Sequence, residues 1–231
     1  MFEVARCFLF YSILFRNIFT IFVQPLALIS AFFPFPVRIL ATRMWLQKQS
    51  RENEGDLIMA AELCTPETMA FVVRHTGGVI CAALPAERLE ALALPQMLSQ
   101  NQDPKGTAFT VTVDAASHWG VSTGISAADR AATMRALSAA TSGPEDFVRP
   151  GHVFPLRAKA GGVLERDGHT EATVDLCRLA GLQPAGLLSE LVTADSVGMA
   201  RMPEIVDFCA EHQLVLTTIE DLICYRLAEG L

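Results

Sequence analysis

No two of the six cysteines in this 231-residue chain have CxxC spacing; Cys7, Cys64, Cys81, Cys177, Cys209 and Cys224 are scattered along it. That argues against a structural zinc site, and a chain of this length buries enough core to need no disulfide staples. Buried free thiols in a reducing compartment are the simplest reading. Positive charge is not in excess either. The formal net charge of -7 argues against a general nucleic-acid binder, which would show a basic face. A small anionic substrate stays open, because a few convergent arginines reverse the local potential. Internal repeats are absent. So is any charged residue between Arg16 and Arg38.

What the chain does have is apolar weight, 51% hydrophobic residues with a mean hydropathy of +0.34. Much of it lies in residues 1–46, which read as an apolar leader. The charge-free run suits a membrane-spanning helix in length. Pro25, Pro34 and Pro36 interrupt helical hydrogen bonding. A signal peptide would need a shorter apolar region and a small-residue cleavage site. Two readings stand for residues 1–46: an anchor or targeting segment, or an extension foreign to the domain, from a misjoined exon or an upstream frame.

From residue 47 onward, strand and helix signals interleave. Leu57–Ala61 reads as a short buried strand. Thr65-Pro66-Glu67 starts a helix, with a threonine cap, proline at the first position and an acid in the first turn; it ends at Gly77-Gly78. Strands are expected at Val79–Leu84, Thr107–Val113, Val153–Leu156, Gly186–Val192 and Leu214–Thr217. Further helices are expected from Ala86 to Leu94, from Ser126 to Ala140, from Glu171 to Ala180, from Pro203 to His212 and after Thr218. Arg149–His152 is expected to form a turn. The pattern is that of an α+β fold, a mixed sheet flanked by helices.

The densest polar stretch is Arg51 to Asp56. In an extended backbone Glu52, Glu54 and Asp56 project from one side, and like charges on one face repel unless a cation or a basic partner holds them. Arg51 is one such partner and a divalent ion with oxygen ligands is another. A solvated acidic turn is the plain alternative. Four other places hold polar groups that a plain core does not need. Gly120–Asp129 offers glycines, hydroxyls and a helix start suited to an anion, or simply a capped helix. Arg149–His152 would aim one histidine. Arg166–Glu171 presents a guanidinium, an imidazole and a hydroxyl before a helix. Glu190 sits in the apolar run of residues 187–192, where a buried carboxylate is costly unless paired or working, and its pKa would be raised. The inventory fits metal-assisted enolisation of a phosphorylated sugar.

Five segments carry a resemblance: RENEGDL at 51–57, GTAFTVTVD at 106–114, STGISAADR at 122–130, RPGHVFPLRAKAGGVLERDGHTEATVDL at 149–176 and AGLLSELV at 185–192. In order and content they resemble 3,4-dihydroxy-2-butanone 4-phosphate synthase, from about Arg51 to the C-terminus. That family converts D-ribulose 5-phosphate to L-3,4-dihydroxy-2-butanone 4-phosphate and formate for riboflavin biosynthesis. The resemblance implies a monofunctional cytoplasmic lyase spanning residues 47–231. It also implies a homodimer with active sites near the subunit interface, and two divalent ions per site, Mg2+ or Mn2+. Glu52 and His169 match the metal ligands. His152 and Glu190 match the catalytic pair. Arg51, Glu52, Asp56, Thr123, Arg166, Asp167, Gly168, His169, Thr170 and Glu190 match substrate-contacting positions, and Cys81 matches a pocket-lining one. Nucleic acid is not an implied partner, and membrane contact is left only to residues 1–46. Family members reach the first motif through a helix, a strand and an acidic run. Here Met44–Ser50 and the leader precede it, so the usual first strand is expected to be missing. An inactive relative without that strand, or a membrane-anchored sugar-phosphate binding protein, are the alternatives.

Overall fold

The structure is a computed structural model. It describes the backbone of residues 38–41 and all of residues 54–231. Every described residue belongs to one compact unit, residues 37–231. The described strands are β1 (Arg38–Ala41), β2 (Gly55–Ala60), β3 (Cys81–Leu84), β4 (Val113–Ala115), β5 (Phe147–Arg157), β6 (Gly186–Glu190) and β7 (Leu216–Thr218). The described α-helices are α1 (Pro66–His75), α2 (Ala86–Ala91), α3 (Ala127–Ser138), α4 (His169–Leu179), α5 (Met202–His212) and α6 (Ile219–Glu229).

Local chemistry sets the helix starts. The Thr65 hydroxyl accepts from Thr68 N at 3.2 Å while the Thr68 hydroxyl accepts from Thr65 N at 2.9 Å, and Pro66 occupies the first helical position of α1. Ser126 caps α3 by accepting from Asp129 N at 3.0 Å, and Thr218 caps α6 by accepting from Asp221 N at 3.0 Å. Each cap satisfies an amide the helix leaves open, a contribution of about 1 kcal/mol.

The strands form one seven-stranded mixed sheet in the order β4-β5-β3-β6-β2-β1-β7. Pairs β3–β5 and β1–β7 are parallel and the others antiparallel. Side-chain alternation sends Leu57, Met59, Ala82, Leu84 and Leu187 to one face, where they pack with α1, α3 and α5. Ile58, Ala83, Leu156 and Leu188 go to the other face, beneath α4 and α6. The α+β architecture expected from the sequence is therefore the one observed.

Three expectations need correction. The first strand is present: β1 pairs with β2 in the register Arg38↔Ile58 to Ala41↔Gly55, so a segment of the apolar leader fills that position. Thr107–Val113 is not a strand; only Val113–Ala115 joins the ladder as β4, while Phe109 and Thr110 make isolated bridges. The reason lies in the partners. The Thr110 amide donates to the Pro155 carbonyl and the Val111 amide to that of Pro95, both at 3.0 Å, and proline has no N–H to return. Arg149–His152 is not a free turn but lies within β5. There the register with β4 jumps from Val113↔Val153 to Asp114↔Val148, so these four residues bulge from the ladder.

Helices α1 and α5 meet through four rings. Phe71 and His75 on α1 face Phe208 and His212 on α5, with centroid separations between the helices from 5.1 to 6.1 Å. Burial, then the charges of His212 and Arg74, push the His75 pKa below its ordinary 6.5; Glu211 opposes them. The unfolded chain thus binds the proton more readily than the folded one, and stability falls as the pH drops below 6.5. Urea unfolding at pH 7.5 and pH 5.5 should show a lower midpoint at the acid pH, and His75→Gln should reduce that difference. An unchanged difference in the variant would show that the acid sensitivity arises elsewhere.

Candidate active site

Sheet register gathers the first group of side chains. Asp56 near the start of β2 and Glu190 at the end of β6 are Cα partners, so two carboxylates stand opposite each other on the face covered by α4. Cys81 opens β3 at the same end of the sheet and on the same face. Its thiol is pushed up to about 12, by burial first and then by the negative charges of Asp56 and Glu190. His169, the first residue of α4, places Nδ1 3.3 Å from Asp56 Oδ1. Asp56 is 3% exposed, whereas Glu190 is exposed because β6 ends there. The expected burial of Glu190 is thus corrected.

A second group comes from β4 and β5. The Asp114 carboxylate accepts from the His152 backbone N–H at 2.8 Å and contacts His152 Nδ1 at 2.7 Å. An ionised carboxylate only accepts, so Nδ1 carries the hydrogen and Nε2 of the neutral ring presents a lone pair. Asp114 is 8% exposed and the His152 side chain 42%, so a buried anchor holds a reachable imidazole. Residues 122–126 close over this pair. Gly124, at φ +88, lies so near that a Cβ would overlap the Asp114 carboxylate and come within 2.7 Å of His152 Nδ1. Asp129 ties the loop down by accepting from Ser122 N, Ser122 Oγ and Gly124 N. Burial acts to raise the Asp129 pKa, but those donors and Ser126 outweigh it and hold it low. Thr123 is exposed on this loop. Because Phe154 pairs with Cys81, His152 comes to the same end of the sheet as Asp56 and Glu190.

The third group is the segment leading into α4. Arg166 Nη1 contacts Glu171 Oε2 at 2.5 Å, and its Nη2 donates to Lys105 O at 3.2 Å and Thr107 Oγ1 at 3.3 Å. Glu171 is 1% exposed and also accepts from Lys159 N at 3.0 Å. Arg166 therefore organises its own loop through protein groups. Asp167 is exposed, Gly168 precedes α4 as its N-cap, and Thr170 is buried in the first turn. Arg51 and Glu52 lie outside the described residues. Among the described residues no three His, Cys, Asp or Glu side chains converge on a metal position. Two cavities, of about 280 and 270 Å3, lie toward the opposite end of the sheet, around Pro85, Leu137 and Ala185 and around Glu62, Trp119 and Arg135. Neither holds any of these polar groups.

Sequence reading missed Asp114 and Glu171. Asp114 closes the motif GTAFTVTVD, an acid at the end of an alternating run, and that was the available signal. Burial also pushes Cys64 and Cys209 up to about 11 and Cys177 up to about 12. At pH 8 the native protein should therefore leave these three and Cys81 unmodified by iodoacetamide, as read by mass spectrometry. Rapid alkylation of Cys81 in folded protein would contradict the burial and charge seen around it.

A mixed sheet with helices on both faces, and acids and imidazoles gathered at one end, defines the class of protein. The profile described as 3,4-dihydroxy-2-butanone 4-phosphate synthase matches residues 44–225. The chain is 62% identical over 177 residues to the riboflavin biosynthesis protein RibBA of Salinispora arenicola, covering 77% of this chain and 41% of that protein. It is 54% identical over 185 residues to a 3,4-dihydroxy-2-butanone 4-phosphate synthase of Salmonella arizonae, covering 80% of this chain and 84% of the relative. Among solved structures, a 3,4-dihydroxy-2-butanone 4-phosphate synthase in complex with two magnesium ions matches with a TM-score of 0.78 at 49% identity, covering 87% of this chain and 96% of that one. A cation-free form of such a synthase matches at 0.73 and 48% identity, covering 84% and 93%. The chain belongs to the 3,4-dihydroxy-2-butanone 4-phosphate synthase family. It spans about two fifths of the length of the Salinispora RibBA relative, at 41%.

Proposed function

We propose that the chain converts D-ribulose 5-phosphate to L-3,4-dihydroxy-2-butanone 4-phosphate and formate in riboflavin biosynthesis. The observation that carries this reading is the cross-strand pairing of Asp56 with Glu190, with His169 beside Asp56 and the anchored His152 at the same end of the sheet. Two carboxylates forced together on one face favour a cation between them, and oxygen donors with one imidazole suit a hard divalent ion. Glu52 and His169 would hold two such ions, magnesium or manganese. When bound, they supply Lewis-acid polarisation of the sugar oxygens and stabilise enediolate charge.

The residues of the chain do the rest. His152 uses Nε2 to take a proton from the carbon beside the carbonyl, with Asp114 stabilising the imidazolium that results. Glu190, exposed at the strand end, returns and removes protons in the later steps. The enediol loses the C1 oxygen as water, C1 becomes a methyl, the skeleton shifts, and C4 leaves as formate after water adds. The products together contain the atoms of the substrate, so no outside oxidant or reductant is consumed. Arg51, Asp56, Thr123 and Arg166 to Thr170 hold the sugar phosphate through these steps.

We further place the synthase domain, as part of a cytoplasmic homodimer, at residues 37–231 rather than 47–231, because β1 at residues 38–41 pairs within its sheet and the leader is only what precedes it. No helix of the described residues is long and apolar enough to cross a membrane. The presence of β1 removes the missing strand as a ground for an inactive relative. Purified protein with magnesium should release one formate per ribulose 5-phosphate, and a folded protein that releases none would overturn the reading. Glu52→Gln should abolish magnesium-dependent turnover without lowering Tm; retained turnover would sink the metal assignment. Light scattering should give twice the chain mass, and a monomer would refute the dimer.

A further inference from the structure

Helix α5 contributes nothing to the reaction outlined above, yet it is fastened to the segment that carries Asp56. Arg201, the N-cap of α5, places Nη1 3.0 Å from Glu54 Oε1, and Glu54 stands two residues from both Glu52 and Asp56. The Glu54 side chain is only 13% exposed, so this pair is shielded on the acid side. One turn further along the helix, the buried Ile205 presses on Gly55. A Cβ at residue 55 would come within 2.7 Å of Ile205 Cδ1, so any larger residue there would push the Ile205 side chain aside. From the other side Gly55 O accepts from Leu191 N at 2.8 Å, and Leu191 O in turn accepts from Ala200 N at 3.0 Å. The far end of α5 is held by the ring cluster of Phe71, His75, Phe208 and His212. The helix is thus fixed at its C-terminal end and meets the start of β2 at its N-terminal end.

We propose that Arg201 is a positioning residue of the active site. Through its ion pair with Glu54, and with Ile205 seated on Gly55, it sets where the backbone from residue 54 delivers Asp56 to His169, the imidazole proposed above as a metal ligand. The inference rests on the synthase reading and adds to it a helix outside the motifs. An ion pair of this exposure contributes little to global stability, so Arg201 should act on site geometry rather than on folding. Groups that orient a metal ligand from behind change metal affinity when removed, roughly tenfold or more.

The test is magnesium activation of formate release by full-length wild type and by Arg201→Ala, Arg201→Lys, Glu54→Gln and the Arg201→Ala/Glu54→Gln double variant. Wild-type formate release comes first; its absence would defeat the synthase reading and not this one. Given an active wild type, Arg201→Ala should raise the half-saturating magnesium concentration by roughly tenfold with Tm unchanged. Arg201→Lys should restore most of it, because an ammonium also reaches the carboxylate. The double variant should be no worse than either single one, as expected when both changes remove the same contact. Independent, multiplicative losses would overturn the proposal. So would a loss that tracks a fall in Tm, which marks a merely structural role, or a rise in the KM for ribulose 5-phosphate alone, which would place Arg201 on the substrate itself.

Discussion

Asp114→Asn should lower the turnover number for formate release by on the order of a hundredfold, because general acid–base catalysis by a positioned histidine contributes about that much or more. The carboxylate holds His152 twice, at the backbone amide and at Nδ1, at 2.8 and 2.7 Å. Asparagine keeps the shape but offers one oxygen instead of two equivalent acceptors. Either the ring turns or the amide hydrogen bond is lost, and in both cases the imidazolium loses its counter-charge. The KM for ribulose 5-phosphate should change much less than the turnover number, since the substrate contacts lie on other elements. Adding His152→Gln to Asp114→Asn should cost little more than His152→Gln alone, because the two side chains act as one unit. Full additivity in that double variant would show that Asp114 acts separately from the imidazole.

The second large effect is on stability. Glu171→Gln should cost about 3 kcal/mol, since it leaves the Arg166 guanidinium partly buried without its carboxylate. Glu171 is 1% exposed and holds both Arg166 Nη1 and Lys159 N, so one change loosens the segment from Lys159 to the start of α4. For a chain of this size that corresponds to roughly a 6–12 °C fall in Tm. Replacing both partners, as Arg166→Met with Glu171→Met, should recover much of the loss, because apolar isosteres remove the buried charge that drives it. Differential scanning calorimetry reads both variants. A Glu171→Gln protein with wild-type Tm would show that the pair carries no net stabilisation.

Much of the architecture was legible because it depends on near neighbours in the chain. The caps at Thr65, Ser126 and Thr218 are made with residues three positions away, and Gly181, at φ +69, stops α4 locally. Strand identity was harder to read, because a strand needs a partner that can exchange hydrogen bonds. Thr107–Val113 has ideal strand composition, yet it meets the carbonyls of Pro155 and Pro95, which return nothing. Conversely, Arg38–Ala41 lies in a stretch that reads as leader, and pairing with β2 and β7 makes it a strand.

The site divides the same way. Residue types, their order and the acidic alternation at 52–56 were determined by the sequence alone, and they were enough to indicate an oxygen-rich, phosphate-handling site. Only the tertiary structure decided that Asp56 stands opposite Glu190, that Glu190 is exposed at a strand end, and that Asp114 reaches His152 across 38 residues of chain. Those facts follow from register, strand length and a bulge. Each is fixed by hydrogen bonds between segments that a linear reading keeps apart, and a shift of one residue in β2 would turn Asp56 to the opposite face.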